Sequence, residues 1–178
     1  MSVRSALLRR LPPSAVREKV IATLADATAR AAGVPPPRFS GPDVRRCEQY
    51  ARFSGDLAAE AIARGTAGDL TAALRREAQA AGGRLRAMLG LSTAVEGFDL
   101  ASRLYAAIDI DLRVDAGGGI LVTRCGMSRF YTPEICTVMS AMDEGVLAGL
   151  AGEGRLSFTR RITEGHPMCI ARFIVGAP

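Results

Sequence analysis

The 178-residue chain reads as an α+β protein: a helical N-terminal half packed on a small antiparallel β-sheet, with a β-β-α-β-β C-terminal core. Three observations predict this. Apolar residues recur every three or four positions as far as about residue 107, and the period changes to two after residue 108. Between two pairs of alternating segments, Thr132-Pro133-Glu134 then opens one more helix.

Ser14 to Ala32 is an alanine-rich helix with Ser14 at its N-cap, Arg17 and Glu18 in its first turns, and Gly33 as its stop. Val34-Pro35-Pro36-Pro37 follows as a stiff extended linker, because each proline fixes φ and turns its predecessor away from helix. Residues 1–38 are therefore expected to form a helical arm with a Pro-rich linker, and residues 39–178 a single α+β domain. Exchange of that arm between two copies would make a homodimer.

A second helix runs from Pro42 to about Ala63, with Val44, Cys47, Ala51, Ser54, Leu57 or Ala58, and Ala61 or Ile62 on its apolar face. A third, Asp69 to Leu89, carries Leu70, Ala73 or Leu74, Ala78, Ala81, Leu85 and Met88, with Gly82 and Gly83 weakening its middle. The fourth runs from Thr93 to about Ala107. Ile110, Leu112 and Val114 then alternate with Asp111 and Arg113, and Asp115-Ala116-Gly117-Gly118-Gly119 turns the chain into Ile120 to Cys125, giving a β-hairpin. The glycines are a turn and not a phosphate loop, since no Lys-Ser/Thr and no helix follow them.

Thr132 supplies a hydroxyl cap, Pro133 the first helical position and Glu134 an acid at the positive end of a helix that runs to about Leu150. Ile135, Val138, Met139, Met142 and Val146 form its buried stripe. Cys136, Ser140, Asp143 and Leu147 form an adjacent one. Leu156, Phe158 and Ile162 mark a third strand and Cys169, Ala171, Phe173 and Val175 a fourth, joined by the turn Thr163-Glu164-Gly165-His166-Pro167.

With 48% hydrophobic residues the chain can bury one full core. Its longest apolar stretches, such as residues 20–25 and 58–63, fall well short of the roughly 20 residues that span a bilayer. Arg4, Arg9 and Arg10 flank the short apolar segment 6–8, but Pro12, Pro13, Arg17, Glu18 and Lys19 stand where a signal peptide needs its apolar core. A cytoplasmic protein with no membrane contact is expected. The net charge of +5 and a pI near 9.5 raise nucleic acid as a partner. The arginines are spread among acids, however, and aromatics make up 5% with no tryptophan, so neither a basic patch nor a stacking platform is in view and no nucleic-acid binding is expected.

The residues that can carry chemistry gather in the last third: Cys125, Cys136, Asp143, Cys169 and His166, the chain's one histidine. Ten residues lie between Cys125 and Cys136 and there is no Cys-x-x-Cys pair, which is not a zinc framework, so no metal is expected. Nor is a disulfide expected in a cytoplasmic protein. A thiolate nucleophile needs a base and a group to orient it. Cys125, Cys136 or Cys169 would serve as nucleophile, His166 as base and Asp143 as orienter, with Cys125 foremost because it ends a strand beside Gly126. Against this stand simpler roles. Free cysteine packs readily on apolar faces, His166 fits a solvated turn, and Asp143, flanked by Met142 and Val146, needs a partner such as Arg124, Arg160 or Arg161.

Cys125 after a strand, Glu134-x-Cys136 opening a helix, Asp143 further along it, Phe158-Thr159-Arg160, Gly165 and Cys169-x-x-x-Phe173 together resemble the core of the L-2-amino-thiazoline-4-carboxylic acid hydrolase-like family. The resemblance spans roughly residues 95–175. Where that family tends to have Gly-Asp before the last cysteine, this chain has Gly165-His166-Pro167-Met168. The likeness implies a hydrolase that opens a C–N bond of a small cyclic amide- or amidine-like substrate; weighed for such work, the residues themselves put Cys125, Asp143 and His166 in catalytic roles and Cys136, Cys169 and Arg160 at the substrate, with no cofactor expected. Part of the same signature is similar to the 4-vinyl reductase ligand-binding domain, which implies instead a non-catalytic pocket for an apolar or tetrapyrrole-like small molecule.

Overall fold

Helices α1 (Pro13–Ala32), α2 (Asp43–Ala63), α3 (Ala67–Leu89) and α4 (Ala94–Ala107) precede the sheet in the computed structural model, which describes residues 13–176. Strands β1 (Ile110–Val114) and β2 (Gly119–Cys125) come next, then helix α5 (Pro133–Ala151), strand β3 (Gly154–Arg160), a short 3-10 turn over Ile162–Glu164, and strand β4 (Cys169–Val175). The protein is α+β, with the β-β-α-β-β order in its C-terminal half. The sheet is antiparallel throughout, in the order β1-β2-β4-β3. The predicted Ser14 cap and the segment holding Arg4, Arg9 and Arg10 lie outside the described residues and side chains.

Local chemistry accounts for the element ends. Thr93 and Glu96 form a reciprocal capping box on α4, and Thr132 Oγ1 accepts from the Ile135 amide at 3.3 Å to start α5. In the β1–β2 loop, Asp115 Oδ1 accepts from the amides of Gly117 (2.8 Å) and Gly119 (2.9 Å), so a carboxylate organises this turn. The third strand ends earlier than its alternation predicts. Ile162, expected at its end, instead begins the 3-10 turn that Gly165 closes at φ 88°.

α5 is the central element. Its outward neighbour is α3, and the two backbones touch: a Cβ at Gly145 would overlap the Arg75 carbonyl, and one at Gly149 the Gln79 carbonyl. Gly82 on α3 faces the same crossing and is buried. The glycine expected to weaken the middle of α3 therefore permits close packing, and the helix continues unbroken. On the other side, Ile110, Leu112, Ile120, Val122, Ala171 and Phe173 of the sheet form one core cluster with Phe98 and Ala101 of α4 and Leu147 and Leu150 of α5.

α1 differs from its expectation as a detached arm. Ile21, Ala25, Ala27, Thr28 and Ala29 are all buried, and the helix packs on α2, α3 and α4. Its buried face is mostly alanine, which carries little hydrophobic signal per residue although the area it hides is real.

Candidate functional site

A cavity of about 670 Å³ lies between α1, α3, α4, α5 and one end of the sheet. Its walls are largely apolar: Leu24, Leu85, Leu104, Ile108, Ile110 and Val146, together with Met88, Met127, Met139 and Met142. Unbranched, polarizable methionine adapts to ligands of varied shape. The outer end runs between α1 and α3, where Lys19, Asp26, Arg30 and Arg84 are exposed. There Arg30 Nε meets Glu77 Oε2 at 2.7 Å, tying the two helices.

The inner end is polar. All three tyrosines of the chain, Tyr50, Tyr105 and Tyr131, line it, as do Cys125, Cys136, Ser140 and Asp143. Offsets of four and three along α5 bring Cys136, Ser140 and Asp143 to one side, as their spacing predicts. Tyr105 donates to Asp143 Oδ1 at 2.6 Å. The Tyr131 hydroxyl lies 2.6 Å from Ser54 Oγ, and that of Tyr50 lies 3.3 Å from Thr28 Oγ1, so each hydroxyl has the partner that burial demands.

Burial governs the acid–base behaviour of this end. The Asp143 carboxyl is enclosed by protein, and what exposure the residue keeps is to the cavity. Desolvation raises its pKa to about 6, against the opposing effects of the Tyr105 hydrogen bond and the Arg161 charge. Desolvation also pushes the Cys125 thiol up to about 12 and Tyr50 to about 12, and it holds Tyr105 and Tyr131 well above the usual phenol. Of the groups whose acidity burial shifts here, Asp143 is thus the one that ionises around neutrality.

Arg161 reaches the same region from beyond β3. It donates to Ser140 Oγ at 2.5 Å and to Cys136 Sγ at 3.7 Å, stacks 4.0 Å over the Phe158 ring, and lies 3.7 Å from Glu164. Of the two other neighbours expected to pair with Asp143, Arg124 pairs with Asp109 instead.

Of the six residues singled out from the sequence, the cavity gathers Cys125, Cys136 and Asp143. His166 is exposed on the turn before β4 and Arg160 is exposed at the end of β3; neither lines the cavity. Cys169 is buried in the core, where its Sγ accepts from the Ile162 amide at 3.3 Å, and it too is outside the cavity wall. The tyrosines were the residues sequence reasoning missed, whereas Arg161 was expected only as a partner for Asp143. The signal for the tyrosines was their scarcity in a chain with 5% aromatics, each lying in a segment that also supplies core.

Cys125, Cys136 and Cys169 are free thiols. Among the described residues no three His, Cys, Asp or Glu side chains gather as metal ligands would, and no helix is long and apolar enough to cross a membrane. No family model matches the chain, and no curated protein or solved structure matches it.

Proposed function

We propose that the protein is a small-molecule-binding domain that takes an apolar compound into the cavity between α1, α3, α4 and α5. One observation carries this: a largely apolar cavity of about 670 Å³ with its buried polar groups gathered at the inner end and exposed charges at the mouth, the size and make-up of a ligand site. The similarity to 4-vinyl reductase ligand-binding domains points the same way.

A hydrolase acting on a small heterocyclic C–N bond draws support from the meeting of Cys125, Cys136 and Asp143 on one wall. It is the weaker proposal on chemical grounds. With the Cys125 thiol raised to about 12, roughly one in 10⁵ is ionised at pH 7. The proposed base, His166, is exposed on its turn and makes no described hydrogen bond to that thiol.

Fluorescence titration with N-phenyl-1-naphthylamine, a neutral apolar dye, tests the binding role. Saturable enhancement is expected in the wild type. It should be lost in Ala81→Trp, which fills the cavity from α3, with the far-UV circular dichroism unchanged. No saturable enhancement in the wild type, or undiminished binding in the variant, would refute it.

A further inference from the structure

We infer that the ligand of this cavity carries a protonated amine, which docks on the carboxylate of Asp143 while its apolar body lies along the methionine-lined wall. The inference rests on the cavity being the binding site and adds the chemical class of the ligand.

The polar end of the cavity is built almost wholly from acids. Around Asp143 stand Tyr50 from α2, Tyr105 from α4, Cys125 from β2, Tyr131 from the loop before α5, and Cys136 and Ser140 from α5 itself. Every one of these ionises, if at all, to an anion. One Asp143 oxygen accepts from Tyr105; the other takes no hydrogen bond from a described residue. Arg161 is the cation whose charge is felt there, yet its guanidinium is occupied by Ser140, Cys136, Phe158 and Glu164, and it makes no ion pair with Asp143 among the described residues.

A carboxylate facing an apolar cavity without a counter-charge is costly, and an entering ammonium supplies both the charge and the donors it lacks. An anionic head group would add repulsion at the same point. The charges at the mouth do not reverse this preference. Lys19, Arg84 and Asp26 are exposed, of mixed sign, and screened by water and salt.

The test uses three decyl compounds that differ only in the head group: decylamine, decan-1-ol and decanoate. Each displaces N-phenyl-1-naphthylamine from the full chain at pH 7.5. Decylamine should bind about ten- to a hundredfold more tightly than decan-1-ol, the range of a charge-assisted hydrogen bond, with decanoate weakest. Asp143→Asn should abolish the preference for the amine, bringing decylamine to the affinity of decan-1-ol, with each measured relative to the dye's own affinity for that variant. Should that variant fail to fold, the wild type at pH 5 answers the same question, since a protonated Asp143 no longer attracts the ammonium and the preference must shrink. Equal affinities, tighter decanoate binding, or an amine preference indifferent to both Asp143→Asn and pH would overturn the inference and leave dye binding, and hence the binding role, intact. No dye binding would overturn both.

Discussion

Replacing Asp143 by asparagine should stabilise the unliganded protein at neutral pH and leave it unchanged in acid. The amide keeps the shape and can still accept from the Tyr105 hydroxyl, but it removes the charge. In the wild type the carboxyl rises from its ordinary 3.8 to about 6 on folding. The folded state therefore binds the proton more tightly than the unfolded chain, so stability attributable to this group is present below pH 4 and lost as pH rises through 6. A shift of that size corresponds to about 3 kcal/mol, an upper figure because cavity water screens part of the penalty. Urea unfolding of both proteins at half-unit intervals from pH 4 to 8 measures it. The difference between the two curves cancels other groups, including Glu96 and Glu134, whose downward shifts act in the opposite sense. Asp143→Asn should equal the wild type near pH 4 and exceed it by about 2–3 kcal/mol above pH 7. A difference that is flat with pH, or that favours the wild type as pH rises, would refute the account of Asp143 as a desolvated acid without a counter-charge.

Two further outcomes follow from the packing. In native protein at pH 7.5, mass mapping after brief iodoacetamide treatment should find Cys125 unmodified, because so little thiolate is present; rapid alkylation there would revive nucleophilic catalysis. Ile21→Ala on α1 should lower the unfolding free energy by about 2–4 kcal/mol as a buried core truncation. A loss under about 0.5 kcal/mol, the usual limit for surface changes, would return α1 to the status of a loosely attached arm.

Most of the architecture was legible because it is written in local periods. The switch from helical to alternating spacing after residue 108 marks where α4 gives way to β1, and Thr132-Pro133 marks the first turn of α5. Local cues also explain the errors. Ile162 keeps the alternation of β3, but Gly165 three residues on lets the chain turn early. The alanines of α1 hide area without announcing it.

The candidate site was harder to see, for a physical reason. Cys136, Ser140 and Asp143 share a helix, so their spacing alone brings them together. Tyr50, Tyr105 and Tyr131 come from α2, α4 and a loop, and only the packing of those elements makes them neighbours. His166 was chosen for the chemistry of imidazole, and chemistry does not reveal that a turn points a side chain into solvent.

The direct contact of α3 with α5 at Gly145 and Gly149 has one more consequence. With no layer of side chains between them, these helices have no slack to spread, so the two form a fixed jaw. The opposite lip is α1, whose link to α3 at the mouth is the Arg30–Glu77 pair, roughly half exposed on the arginine side and a third on the glutamate. Such a pair contributes about 0–1 kcal/mol. If the cavity takes a ligand as proposed, substitutions at the cavity-facing positions of α1, such as Val20 and Leu24, should widen or narrow the range of chain lengths admitted while leaving any head-group preference at the Asp143 end unchanged.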